Sequence, residues 1–143
     1  MARSSLHEPT RVPRSLQSHD DRLRPRDLVT AFDPLTHVSA DLSGVASGPL
    51  RDAPLLSGLL IAAAGAAGLT AVGAPLVRVA PTGAVSAVLL LDPCHVSIHS
   101  FPDRGLALVD VLARDAAGAS KALDVFVRRL APTAVGSDVR ARG

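Results

Sequence analysis

The sequence contains no tryptophan, no tyrosine and only three phenylalanines, Phe32, Phe101 and Phe126, among 143 residues. Single-stranded nucleic acid is held largely by stacking bases on aromatic rings, so that function finds no support. Cysteine is nearly absent as well. Cys94 is the sole thiol, which excludes an internal disulfide framework. Lys121 is the only lysine. Arginine supplies the rest of the fifteen basic residues, which face thirteen acids and leave a formal charge of +2. Like charges form no block, and no nucleic-acid partner is expected. The N-terminus carries no apolar run of the secretory kind, so no signal peptide is expected.

The longest apolar stretch, "PLLSGLLIAAAGAAGLTAVGAPLV", has the length of a membrane span. It is diluted by glycine, alanine and two prolines, and Arg51, Asp52 and Arg78 lie close to its ends. It is read as part of a soluble fold with no membrane partner, and a cytoplasmic location is the expectation.

What is present is aliphatic. Hydrophobic residues make up 48% of the chain, enough for one domain with a buried core. Residues 1–33 mix arginine, proline, serine and acids without periodicity. They are expected to form a flexible tail, with His7 and His19 solvated in it. The folded domain is expected over residues 34–143.

Within that domain "THVSADLSGV" alternates as a short strand. In "LRDAPLLSGLLIAAAGAAGL", Asp52 stands as N-cap, Pro54 in the first turn, Leu55, Leu56, Leu59, Leu60 and Ala63 at helical spacing, and Gly68 at the end. This predicts a helix over 53–67. "TAVGAPLVRVA" and "AVSAVLLLD" make a hairpin through "PTG", and "CHVSIHS" and "LALVDVLAR" are two further strands joined by "FPDRG". "AGASKALDVFVRRL" places Ala122, Leu123, Phe126, Val127 and Leu130 on one helical face. Its Arg128 and Arg129 sit near the C-terminal end, where they suit the helix dipole. "TAVGSDVRA" is a last strand. The order β-α-β-β-β-β-α-β with short turns predicts an α+β fold, a two-layer sandwich of an antiparallel β-sheet covered on one face by two helices. The other face is left to solvent or to a second protomer.

Chemistry concentrates in "LLLDPCHVSIHSFPDRG", residues 89–105. His95 and His99 share a strand face with Ser97 between them, about 13 Å apart at ~3.3 Å per residue, too far to hold one ion, so no metal site is expected. Cys94 has the opposite parity and points away from both, so His95 is a poor base for a cysteine nucleophile. From spacing alone, a buried thiol at a strand end and histidines on a polar face remain open beside any functional reading.

The wording of the motif adds to this. "HVSIHSFPDRG", followed by "ALVDV" and "KALDVFVRRL", resembles the S-adenosylmethionine decarboxylase proenzymes of the bacterial and archaeal type. "THVSAD", with His37 and Asp41, resembles that family's opening strand, and "PTGAVSAVLLLD" its Pro-x-Gly-Val-Ser-Gly strand. The resemblance runs from about 36 to 140 and is most specific over 95–105.

The resemblance implies a chain that makes its own cofactor. A hydroxyl attacks the preceding carbonyl, elimination cuts the chain, and a pyruvoyl group is left on the new N-terminus, where it forms a Schiff base with the substrate amine. By position, the pyruvoyl-forming residue is Cys94, the bond cut is Pro93-Cys94, and His99 and Ser86 are the processing residues. Phe101 holds the aromatic position after the histidine and Asp103 the acidic one, both on the substrate side. Three positions depart from the pattern. Cys94 and Pro93 replace serine and glutamate, and a thiol can make the same acyl shift through a thioester, with hydrogen sulfide leaving. Arg114 stands where the family has its proton-donating cysteine, and arginine is a very weak acid. Val79 and Ala80 stand where an aromatic residue is expected before the processing strand.

The function implied is a pyruvoyl-dependent S-adenosylmethionine decarboxylase for spermidine synthesis, acting on S-adenosylmethionine as a homodimer or paired with a paralogue. Two alternatives stay open: an uncleaved homologue acting as a regulatory partner, and a pyruvoyl decarboxylase for another amino acid.

Overall fold

Residues 33–143 are described by the structure, a computed structural model. The expected tail, with His7 and His19, lies outside the described residues except for Asp33. The elements in chain order are strand β1 (Leu35–Ser43), helices α1 (Ser47–Arg51) and α2 (Ala53–Ala66), strands β2 (Leu76–Val79), β3 (Val85–Leu90), β4 (His95–Phe101) and β5 (Leu106–Ala113), helix α3 (Ala116–Leu130) and strand β6 (Ala134–Arg142). A single 3-10 turn, Pro102–Arg104, links β4 to β5. The strands form one six-stranded sheet in the order β2-β3-β4-β5-β1-β6, antiparallel throughout. This is the α+β sandwich expected, with both long helices on one face.

Period-two alternation explains why the sheet has a buried and an open face. Val38, Ala40 and Leu42 of β1, Val96 and Ile98 of β4, and Val109 and Val111 of β5 are all buried beneath the helices. Each of these valine, leucine and isoleucine side chains contributes roughly 1.5–3 kcal/mol by leaving water. Helix α3 meets them with a regular apolar stripe, Ala119, Ala122, Phe126 and Leu130. Its N-cap Asp115 accepts the Gly118 N–H at 2.6 Å. Helix α2 is apolar nearly all round, so its ends are set by chemistry rather than by a stripe. Asp52 accepts the Leu55 N–H at 2.9 Å, and Gly68 follows the C-cap at a φ of 71°.

One element departs from the sequence reading. Residues 47–51 form the short helix α1, where only an approach to the following helix was expected. A one-turn helix has no stability of its own. It persists because Leu50 is fully buried and its carbonyl accepts the Ser100 hydroxyl at 2.7 Å. Strand β6 lies beyond the helices, pairs only with β1, and is exposed along its whole length.

Gly105 closes the 3-10 turn at a φ of 57°. A Cβ there would stand 3.1 Å from the Val45 carbonyl oxygen, beside the 2.9 Å hydrogen bond from Val45 N–H to the Gly105 carbonyl. Gly105→Ala is therefore expected to lower stability by about 1–2 kcal/mol, from the left-handed backbone together with the tight contact. A urea titration checks this: a midpoint equal to wild type would refute it.

Candidate active site

The site is built on β4 and its neighbours. Alternation along β4 turns His95, Ser97, His99 and Phe101 to the open face, while Val96, Ile98 and Ser100 face the core. Ser100 is fully satisfied there, donating to Leu50 and accepting the Val85 N–H at 2.8 Å. Register then decides which open-face side chains meet. Arg78, Ser86 and His99 stand in one row across β2, β3 and β4. In that row Ser86 Oγ lies 2.9 Å from His99 Nδ1, with the hydroxyl donating when that nitrogen carries no proton. Two positions thirteen residues apart in sequence, both singled out by the motif, are thus hydrogen-bonded partners.

This pair lies in an open cavity of about 500 Å³, whose polar wall is Arg78, Ser86, His95, Ser97 and His99 and whose apolar wall is Leu76, Val88 and Leu90. Further along the same face His37 Nε2 donates to Asp110 Oδ1 at 2.9 Å. His37 thus pairs across strands with Asp110 rather than with Asp41, its companion in the motif.

Cys94 is elsewhere. It immediately precedes β4 and belongs to the core cluster, with 3% of its surface exposed. Five residues of strand separate it from His99, about 16 Å at ~3.3 Å per residue, and it faces the other side of the sheet. Burial pushes the Cys94 thiol above its ordinary pKa. Arg114 opposes that rise and Asp92 adds to it. Arg114, just beyond the end of β5, donates from Nη2 to the Asp92 carbonyl at 3.2 Å.

Phe101 and Asp103 occupy the far end of β4. Arg104 lies over the Phe101 ring, 5.6 Å from its centroid. Asp103 accepts from Arg51 Nη2 at 2.7 Å on the surface, and the same guanidinium reaches the Thr82 carbonyl in the β2–β3 turn. The candidate residues therefore fall into three places: Cys94 with Arg114 at one end of β4, Ser86 with His99 on the open face, and Phe101 and Asp103 at the other end. Among the described residues no group of three or more histidine, cysteine or acidic side chains is placed to hold a metal ion.

Sequence reasoning did not select Asp110, Arg78 or the cavity role of His95. Asp110 did leave a signal, as a charge within the apolar alternation "ALVDVL". Its partner could be known only from strand register. Arg78 left none, because its value comes from sharing a row with Ser86 and His99.

A family model for S-adenosylmethionine decarboxylase matches residues 36–143. The S-adenosylmethionine decarboxylase proenzyme of Aquifex aeolicus (strain VF5) is 35% identical over 108 residues, 75% of this chain and 79% of that one. The proenzyme of Symbiobacterium thermophilum is 39% identical over 74 residues, 52% of this chain and 55% of that protein. The crystal structure of the adenosylmethionine decarboxylase from Aquifex aeolicus VF5 is similar with a TM-score of 0.72 and 31% identity, covering 78% of this chain and 92% of that one.

Proposed function

This chain belongs to the S-adenosylmethionine decarboxylase family, and we propose that it is a self-processing, pyruvoyl-dependent carboxy-lyase that decarboxylates S-adenosylmethionine for spermidine synthesis in the cytoplasm. The observation that carries the site assignment is the 2.9 Å contact between Ser86 and His99. The motif selects these two residues independently, and the fold brings them together.

The residues at the junction fit formation of a pyruvoyl group. Cys94 supplies a nucleophilic sulfur directly after the Pro93 carbonyl. Attack forms a sulfur–carbon bond and breaks the Pro93–Cys94 amide, and the freed amine takes up the thiol proton. Loss of the residue 94 α-proton then breaks the Cβ–S bond. The upstream chain leaves as a Pro93 thiocarboxylate, which hydrolyses to a carboxylate and hydrogen sulfide. The enamine left on residue 94 tautomerises and loses ammonia to water. The resulting pyruvoyl carbonyl supplies the electron sink that decarboxylation requires.

In the uncut chain the thiol and the Ser86–His99 pair are on opposite faces. For that pair to act in processing, residues 93–95 must turn toward the open face. That movement breaks the hydrogen bond from the Leu91 N–H to the Cys94 carbonyl and the Leu90↔His95 pair, the last between β3 and β4. The open face also suits a second copy of the chain, because polar rows alternate on it with exposed leucines such as Leu76 and Leu90. Among the described residues no helix is long and apolar enough to cross a membrane.

Ser86→Ala and His99→Ala are each expected to slow fragment formation by about 100-fold, the usual scale for losing a positioned proton-transfer group. Both side chains face the open side, so unfolding midpoints should stay within about 0.5 kcal/mol of wild type. Intact-mass time courses on the purified variants provide the check. Unchanged cleavage in both variants would remove the pair from processing.

A further inference from the structure

We propose that Arg114 is a positioning residue for self-processing, holding the Asp92 carbonyl so that the Pro93–Cys94 bond is presented to the Cys94 thiol. This deepens the decarboxylase reading above and rests on it. The turn between β3 and β4 is anchored on both sides of the bond to be cut. On one side the Leu91 N–H donates to the Cys94 carbonyl at 2.8 Å, and on the other the Asp92 N–H donates to the Thr70 carbonyl at 3.1 Å. The Asp92 carbonyl accepts from Arg114 Nη2 at 3.2 Å, the only side-chain hydrogen bond to this turn among the described residues. Strand register brings the guanidinium there. His95 is cross-strand from Leu112, and Arg114 follows two residues later, level with the turn.

The position also has an electrostatic consequence. Arginine keeps its charge at every working pH. The charged groups acting on the thiol are Arg114 and Asp92, with opposite effects, while burial holds the proton on sulfur. His95, though adjacent in sequence, faces the other side of the sheet. The acyl shift places negative charge first on sulfur and then on the Pro93 oxygen, and a fixed cation at the neighbouring carbonyl favours both. An uncharged side chain of similar length would retain the packing and lose both the hydrogen bond and the charge.

The experiment uses the full chain with Arg114→Met and Arg114→Lys, following fragment formation by intact mass between about pH 6 and 10, a range that reaches past the ordinary thiol value of about 8.5. Arg114→Met is expected to cleave about tenfold more slowly near neutrality, with its rate–pH curve displaced to the alkaline side by about one unit. Arg114→Lys, which keeps the charge, is expected to recover most of the rate and the wild-type position of the curve. Far-UV circular dichroism and a urea midpoint confirm that the variants fold. Wild-type rate and pH dependence in Arg114→Met overturns the inference alone, as does equal slowing by methionine and lysine. A wild-type chain that stays intact overturns the decarboxylase reading, and the inference with it.

Discussion

A Cys94→Ala chain is expected to remain one intact species on prolonged incubation, while the wild-type chain yields fragments 1–93 and 94–143, the second with a blocked, carbonyl-bearing N-terminus. The effect is all or none, because alanine has no atom that can attack the Pro93 carbonyl and no leaving group on Cβ. Loss of fold is not a competing explanation. The side chain is buried in the core cluster, but removing one sulfur costs only about 1 kcal/mol, on the scale of a deleted core methyl. Cys94→Ser sharpens the test. Serine supplies the hydroxyl of the family pattern, so cleavage should persist through an ester. The two routes differ in mass: the upstream fragment of the native chain first carries a thiocarboxylate, heavier by the exchange of oxygen for sulfur, whereas the serine variant gives a plain carboxylate at once. Equal cleavage of Cys94→Ala and wild type would sink the assignment of this junction.

Phe126→Ala is expected to destabilise the domain by about 3–5 kcal/mol, a large part of the 5–15 kcal/mol that a domain of this size has in total. Phe126 is the largest fully buried side chain in the molecule's described part. It sits in the C-terminal half of α3, the helix that packs beneath β1 and β5. Among the described residues no other aromatic side chain lies in this aliphatic core to close the void. A urea titration should show a strongly lowered midpoint with an unchanged slope. Phe126→Leu, which retains most of the volume, should cost about 1.5 kcal/mol or less. A loss below 1 kcal/mol for the alanine variant would mean that α3 is not the main cover of the sheet. The variant also bears on the site, because β5 carries Asp110 and leads into Arg114.

Much of this fold is legible in the sequence because its signals are local. The alternation of "HVSIHS" fixes which residues of β4 share a face. Asp52 and Gly68 mark the ends of α2 although its composition shows no stripe. The stripe of α3 is explicit. Helix α1 is not legible, because Ser47, Gly48 and Pro49 read locally as a turn and its support comes from the distant Ser100. The site is legible in its parts and not in its arrangement. The motif names Ser86 and His99, and only register shows them hydrogen-bonded. It names Cys94, and only the fold shows the thiol on the core side. The contacts of His37 with Asp110, Arg51 with Asp103 and Arg114 with Asp92 join residues far apart in sequence, and no local pattern encodes them.

The strand order carries a further consequence. Cutting after Pro93 gives β1, β2 and β3 to one polypeptide and β4, β5 and β6 to the other, while the sheet runs β2-β3-β4-β5-β1-β6. Strand β1 of the first piece is therefore sandwiched between β5 and β6 of the second. Under the proposed cleavage, maturation leaves two interlaced chains with no domain boundary between them, and their unfolding changes molecularity. The precursor melts as one chain, whereas the matured protein must dissociate to unfold, so its midpoint rises with protein concentration. Once denatured and diluted, the pieces must find each other again to refold, so maturation exchanges a first-order return to the native state for a second-order one.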